Sequence, residues 1–123
     1  MKAGVGSRTS EALARRIAAV ALDKKARDVI VLDMRRVVGY TDFLVIATGN
    51  TERQTQAIED AIYRDMKSGD GGRTPERVEG KPESRWILMD YLDCVVHIFT
   101  PAARDYYRLE TLWGEVPALE VKA

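Results

Sequence analysis

The chain has 123 residues, 46% of them apolar, which makes one domain able to bury roughly two-thirds of its unfolded surface and excludes disorder. Its 19 basic and 19 acidic side chains cancel. That balance excludes global attraction to a phosphate backbone or an anionic membrane, which rests on excess Lys and Arg.

Residues 1–8 are a small, Gly-containing leader, expected to be mobile. The leader lacks the apolar core of a secretory signal, and no apolar run approaches a membrane span. A soluble, cytoplasmic protein is therefore expected. Residues 9–117 read as the domain and 118–123 as a C-terminal tail.

Thr9 or Ser10 caps a first helix reaching about residue 25, with Leu13, Ile17, Val20 and Ala21 at helical spacing. The continuous run Val29-Ile30-Val31-Leu32 predicts a strand over 28–34 buried on both faces. After a turn at 39–42, Phe43-Leu44-Val45-Ile46-Ala47 predicts a second inner strand. Gly49-Asn50-Thr51 then breaks the sheet and starts a helix, with Thr51 and Gln54 spaced as a capping box. Ile58, Ala61, Ile62 and Met66 mark its buried side. A linker follows at 68–72 and a weak, short strand at 77–80.

Two strong strands come next, at 86–92 and 94–99, about an acidic corner. Cys94 forms no internal disulfide, being the single cysteine, and reads as a buried strand residue. Thr100-Pro101 opens a last helix, since proline at the first helical position loses no needed donor. Tyr106, Leu109 and Trp113 line one side of it, Leu112 lies near them, and Pro117 helps end it. The order α-β-β-α-β-β-β-α predicts an α/β chain of the α+β kind, a mixed central β-sheet with helices packed on it.

Catalytic chemistry is poorly supplied. There is no glycine-rich phosphate loop, and one histidine with one cysteine leaves a zinc site short of ligands. Asp90 and Asp93 are the nearest thing to a metal-holding acid pair, but they are three apart across a corner and need not share a face. Gly49-Asn50-Thr51 is explained by capping without a phosphate. His97 lies inside an apolar run and reads as a structural imidazole hydrogen-bonded near the sheet surface. No catalytic residue, metal or cofactor is expected.

The aromatic residues carry more. Trp86, Tyr91, Tyr106, Tyr107 and Trp113 crowd the C-terminal third. Core packing is the default for such residues, and Trp and Tyr are also enriched at interface hot spots. Trp86, beside the polar stretch Pro82-Glu83-Ser84-Arg85, stands evenly between the two. Trp113 reads as a core or dimer contact, as do Tyr106 and Leu109. Arg104, with Asp105 and Glu110, either belongs to a solvated face or orients a polar rim.

Taken together, several stretches resemble the ribosomal silencing factor family (RsfS, or Iojap-related proteins). These are the run Asp28-Val29-Ile30-Val31-Leu32-Asp33-Met34-Arg35, the segment 41–58 beginning Thr41-Asp42-Phe43, Val78-Glu79-Gly80, Trp86-Ile87-Leu88-Met89-Asp90-Tyr91, Val95-Val96-His97-Ile98-Phe99, and the segment 104–113 ending Thr111-Leu112-Trp113. They arrive in the family's order and cover nearly everything after the leader. Leu92 stands where the family usually has glycine, Ala102 and Ala103 replace an often acidic segment, and the 69–72 linker is variable.

The resemblance implies a nucleotidyltransferase-like fold without catalysis. It also implies binding to the large ribosomal subunit through its L-fourteen ribosomal protein, where the chain would block subunit joining and lower translation. Homodimers are implied as well, with no sequence-specific nucleic acid and no membrane among the partners. Alternation along a strand places Trp86, Leu88 and Asp90 on one face. With Tyr91, His97, Arg104 and Tyr107 they form the expected partner-binding set, and His97 is expected to add pH sensitivity near neutrality. The rival readings are a nucleotidyltransferase-like enzyme using Asp90 or Asp93 with magnesium, and an assembly factor for the large subunit.

Overall fold

The computed structural model describes residues 9–37, 39–69, 72–119 and 121. The leader at 1–8 and residues 70 and 71 of the linker lie outside that set.

Helix α1 (Ser10–Asp23) starts where the Thr9 hydroxyl accepts the Ala12 N–H at 3.1 Å. It buries Leu13, Ala14, Ile17, Ala18 and Ala21, and the three alanines let its backbone approach the sheet closely. Val20 of the expected stripe is only partly buried. Strand β1 (Arg27–Asp33) pairs antiparallel with β2 (Phe43–Thr48), with a bulge between Arg27 and Ile30. All six residues of β2 are buried, as the unbroken apolar run demands of a strand covered on both faces.

Helix α2 (Glu52–Ser68) is capped by Thr51, whose hydroxyl accepts the Gln54 N–H at 3.1 Å. The return bond of the capping box is displaced by one residue, because Gln54 Oε1 accepts from the Asn50 N–H at 2.7 Å. The same side chain donates to the carbonyls of Lys24 and Lys25, fastening the end of α1 to the start of α2. The buried side of α2 is Thr55, Ile58, Glu59, Ile62 and Met66, while Ala61 is partly exposed.

Strands β3 (Arg77–Glu79), β4 (Trp86–Asp90) and β5 (Cys94–Phe99) complete most of a six-stranded mixed sheet. Its order is β3-β4-β5-β2-β1-β6, where β6 is Ala118–Leu119, and among the described residues only β2 and β5 run parallel. The crossover that a parallel pair requires is supplied by α2 and the β3–β4 hairpin. One face of the sheet packs on α1 and α2 through a large core that includes Phe43, Val45, Ile87, Met89, Val96 and Ile98. The opposite face carries a smaller cluster, Leu32, Met34, Leu44, Ile46, Val95 and Phe99, against which the C-terminal segment packs.

That segment differs from the sequence expectation. The last helix is broken into α3 (Pro101–Tyr107) and α4 (Leu109–Leu112) by Arg108, at φ 49° and ψ 48°. A left-handed residue redirects the chain, so Leu109 and Trp113 fold back onto the sheet instead of extending one helix. Residues 118–119, read as tail, form β6 (Ala118–Leu119), which pairs antiparallel with Val31 and Leu32 of β1.

Candidate docking face

Strand alternation places Ile87 and Met89 in the helix-covered core and Trp86, Leu88 and Asp90 on the opposite face. Pairing with β5 sets Trp86 beside Phe99, Leu88 beside His97, and Asp90 beside Val95. Trp86 and Leu88 stay half-buried, because the C-terminal segment packs chiefly over β5, β2 and β1 and leaves the β4 end of this face open.

The indole of Trp86 is held from three directions. Its Nε1–H donates to His97 Nδ1 at 2.9 Å, its ring lies 5.1 Å from Phe99, and Tyr107 sits 4.4 Å away. Tyr106 meets Tyr107 edge-on at 5.0 Å and is 80% exposed, so it is no core residue. Trp86, Tyr106, Tyr107, Ala102, Ala103 and Arg85 line a groove of about 640 Å³. Tyr40, absent from the sequence-selected set, joins this face: it is 47% exposed, stacks on Trp113 at 5.7 Å, and has its pKa raised by burial and then by the charge of Asp90. A tyrosine at the tip of a Gly-containing turn was the signal available for it. Trp113 and Leu109 are half-buried against the smaller cluster.

Three members of the expected set behave otherwise. Tyr91 is 1% exposed and belongs to the helix-side core with Ile87 and Met89, so it cannot touch a partner. Burial, followed by the neighbouring charge of Glu59, pushes its phenol upward. Arg104 faces inward: its side chain pairs with Glu110 at 3.0 Å and donates to the Asp28 carbonyl and the Thr48 hydroxyl. It therefore braces the C-terminal segment, and Asp105 takes no part in that pairing among the bonds described. His97 is 4% exposed, and burial drives its pKa down to about 4, so it does not titrate near neutrality as expected.

The acidic corner is equally occupied. Asp90 accepts the Leu92 N–H at 2.8 Å and lies 3.4 Å from Arg77, while Asp93 pairs with Arg73 at 2.9 Å. Each carboxylate thus has a structural role in turn or ion pair. Cys94 is buried, and burial raises its thiol pKa, the direction of an inert residue. Among the described residues no helix is long and apolar enough to cross a membrane.

The sequence and the fold both match known proteins. A sequence model described as "Ribosomal silencing factor during starvation" fits residues 7–123. The chain belongs to the ribosomal silencing factor family. Ribosomal silencing factor RsfS of Bacillus subtilis is 40% identical over 109 residues, covering 86% of this chain and 89% of that one. A crystal structure of a Chromobacterium violaceum protein superposes with a TM-score of 0.81 at 31% identity, covering 94% of this chain and 96% of the other. A mouse protein named for mitochondrial assembly of the ribosomal large subunit is 31% identical over 91 residues, which cover 73% of this chain and 40% of that protein.

The family departures noted in the sequence have structural places. Leu92 takes φ 75°, the left-handed geometry that glycine adopts freely, and is 63% exposed. The corner therefore keeps a glycine-type backbone with a leucine on it. Ala102 and Ala103 line the aromatic groove, which leaves that stretch of rim uncharged.

Proposed function

We propose that this chain represses translation by docking on the large ribosomal subunit through its L-fourteen ribosomal protein and obstructing subunit joining. The observation that supports the reading is the face of β4: Trp86 and Leu88 stand half-exposed on a rigid sheet, rimmed by Asp90, Tyr40 and Tyr107. Aromatic anchors surrounded by polar groups make hot spots in protein interfaces, and a carboxylate rim complements a basic ribosomal protein. A domain of this length has a radius of gyration of roughly 14 Å, large enough to prevent close contact wherever it lodges.

In this reading the chain works in the cytoplasm as a regulator and not as an enzyme, without cofactor, membrane or sequence-specific nucleic acid. It self-associates as a homodimer through surface that includes the exposed Tyr106 and Leu112. Occupancy alone sets the degree of repression, through affinity and concentration.

A second reading, assembly of the large subunit, is favoured by the printed name of the mouse relative. Both roles use the same docking face. Gradient sedimentation separates them: addition of the protein to finished subunits should place it with the large particle and reduce joined ribosomes. Protein that associates only with immature large particles supports the assembly role, and protein left at the top of the gradient overturns both.

A further inference from the structure

We infer that His97 is a positioning residue for partner recognition: its imidazole fixes which edge of the Trp86 indole the docking face presents. The inference rests on the docking role proposed for that face. Ring packing alone does not decide the matter. Phe99 and Tyr107 contact Trp86 through its ring, at 30° and 47° between planes, and a ring flipped about its long axis would keep much of that contact. The hydrogen bond to His97 Nδ1 distinguishes the two orientations, because only one points Nε1–H at the imidazole. Leu88, the other apolar member of the face, lies directly opposite His97 in the ladder, so one residue supports both anchors.

The arrangement is costly for folding, and that cost is the clue. Accepting at Nδ1 places the imidazole proton on Nε2, and Nε2 is buried with no hydrogen-bond partner. β5 is otherwise Cys94, Val95, Val96, Ile98 and Phe99, all buried, and an aliphatic residue at 97 would suit it better. A buried polar group without full satisfaction lowers stability, and such violations concentrate where function requires them.

The test compares wild type with His97→Leu, His97→Asn and Trp86→Ala by urea unfolding and by affinity for purified L-fourteen ribosomal protein. His97→Leu should keep a stability close to wild type, since removing the unpaired Nε2–H offsets the Trp86 Nε1–H left without its acceptor, yet bind roughly tenfold more weakly, the worth of one hydrogen bond. His97→Asn retains an acceptor near the Nδ1 position and should recover most of the affinity. A His97→Leu protein that binds as wild type does, while Trp86→Ala binds poorly, overturns the positioning role and leaves the docking face standing. Unchanged affinity in Trp86→Ala overturns the docking face itself. Loss of affinity in both His97 variants in step with lost stability assigns His97 a purely structural part and also overturns the inference.

Discussion

Arg104 on α3 and Glu110 on α4 are joined at 3.0 Å across the left-handed break at Arg108. The same guanidinium reaches the Asp28 carbonyl and the Thr48 hydroxyl, so one side chain ties the redirected C-terminal segment to β1 and β2. Only 11% of that side chain is exposed, which places it outside the weak regime of surface ion pairs.

Arg104→Ala should therefore destabilise the fold by about 2–3 kcal/mol, because Glu110 and two sheet acceptors lose a charged donor. Arg104→Lys should recover only part, since an ammonium lacks the planar fork that serves three acceptors at once. Urea unfolding of the two variants gives the comparison. A loss below about 0.5 kcal/mol for alanine, the ordinary surface value, would contradict the bracing role.

The corner between β4 and β5 and the turn before β4 respond oppositely to glycine chemistry. Leu92 is exposed at φ 75°, so Leu92→Gly removes backbone strain, offset in part by the added freedom of the unfolded chain. Thermal unfolding should show no loss and up to about 1 kcal/mol of gain. Gly80, at φ 86°, has the Trp86 carbonyl oxygen 1.9 Å from where a Cβ would stand. Gly80→Ala should displace the start of β4, lowering stability and weakening docking together. A Gly80→Ala protein of native stability would contradict the close approach.

Acid stability carries the signature of His97. Burial lowers its pKa from 6.5 to about 4, so in that window the unfolded chain binds a proton that the folded chain refuses. Stability due to this residue rises with pH from about 4 to 6.5 and is constant above, at about 1.4 kcal/mol per pH unit at its steepest. Glu59 acts with the opposite sign: burial raises its pKa above 4.5, so the folded chain keeps that proton longer and loses stability as pH rises from 4.5 upward. His97→Leu isolates the first effect. Its stability relative to wild type should rise by roughly 3 kcal/mol between pH 6.5 and 4, and a constant difference would contradict the buried neutral imidazole.

Glu59 itself is 3% exposed and has Lys81 as its salt-bridge partner at 3.5 Å. Lys81→Met should cost about 1–2 kcal/mol at pH 7, discounted because Lys81 is largely exposed, and less as acidification protonates Glu59, whose pKa burial raises. A cost that does not change on acidification would show that the pair is electrostatically idle.

Much of this was legible in the sequence where a period carried it. Alternation from Trp86 to Asp90 gave the open face correctly, and the same alternation puts Tyr91 with Ile87 and Met89, where the structure has it; grouping Tyr91 with Trp86 followed aromatic chemistry over parity. The fully buried run of β2 and the Thr51 cap needed only local pattern, whereas β1, read as buried on both faces, buries only Val31 and Leu32 because it lies next to the short edge strand β6. Arg108 gave no warning of its helix break, since a left-handed arginine is imposed by the packing of Leu109 and Trp113. β6 is two residues long and exists through its pairing with β1. Glu59 occupies a core position of α2 that a hydrophobic stripe cannot mark.

In the proposed mechanism a rigid surface centred on Trp86 keeps ribosomal subunits apart by occupancy. Light scattering on mixing purified small and large subunits, titrated with wild type and Trp86→Ala, measures this directly. Wild type should abolish the rise in scattering at saturation, and Trp86→Ala should need about thirtyfold more protein, the equivalent of about 2 kcal/mol of lost binding. Subunits that join at the same rate with saturating wild type present would overturn repression by occupancy.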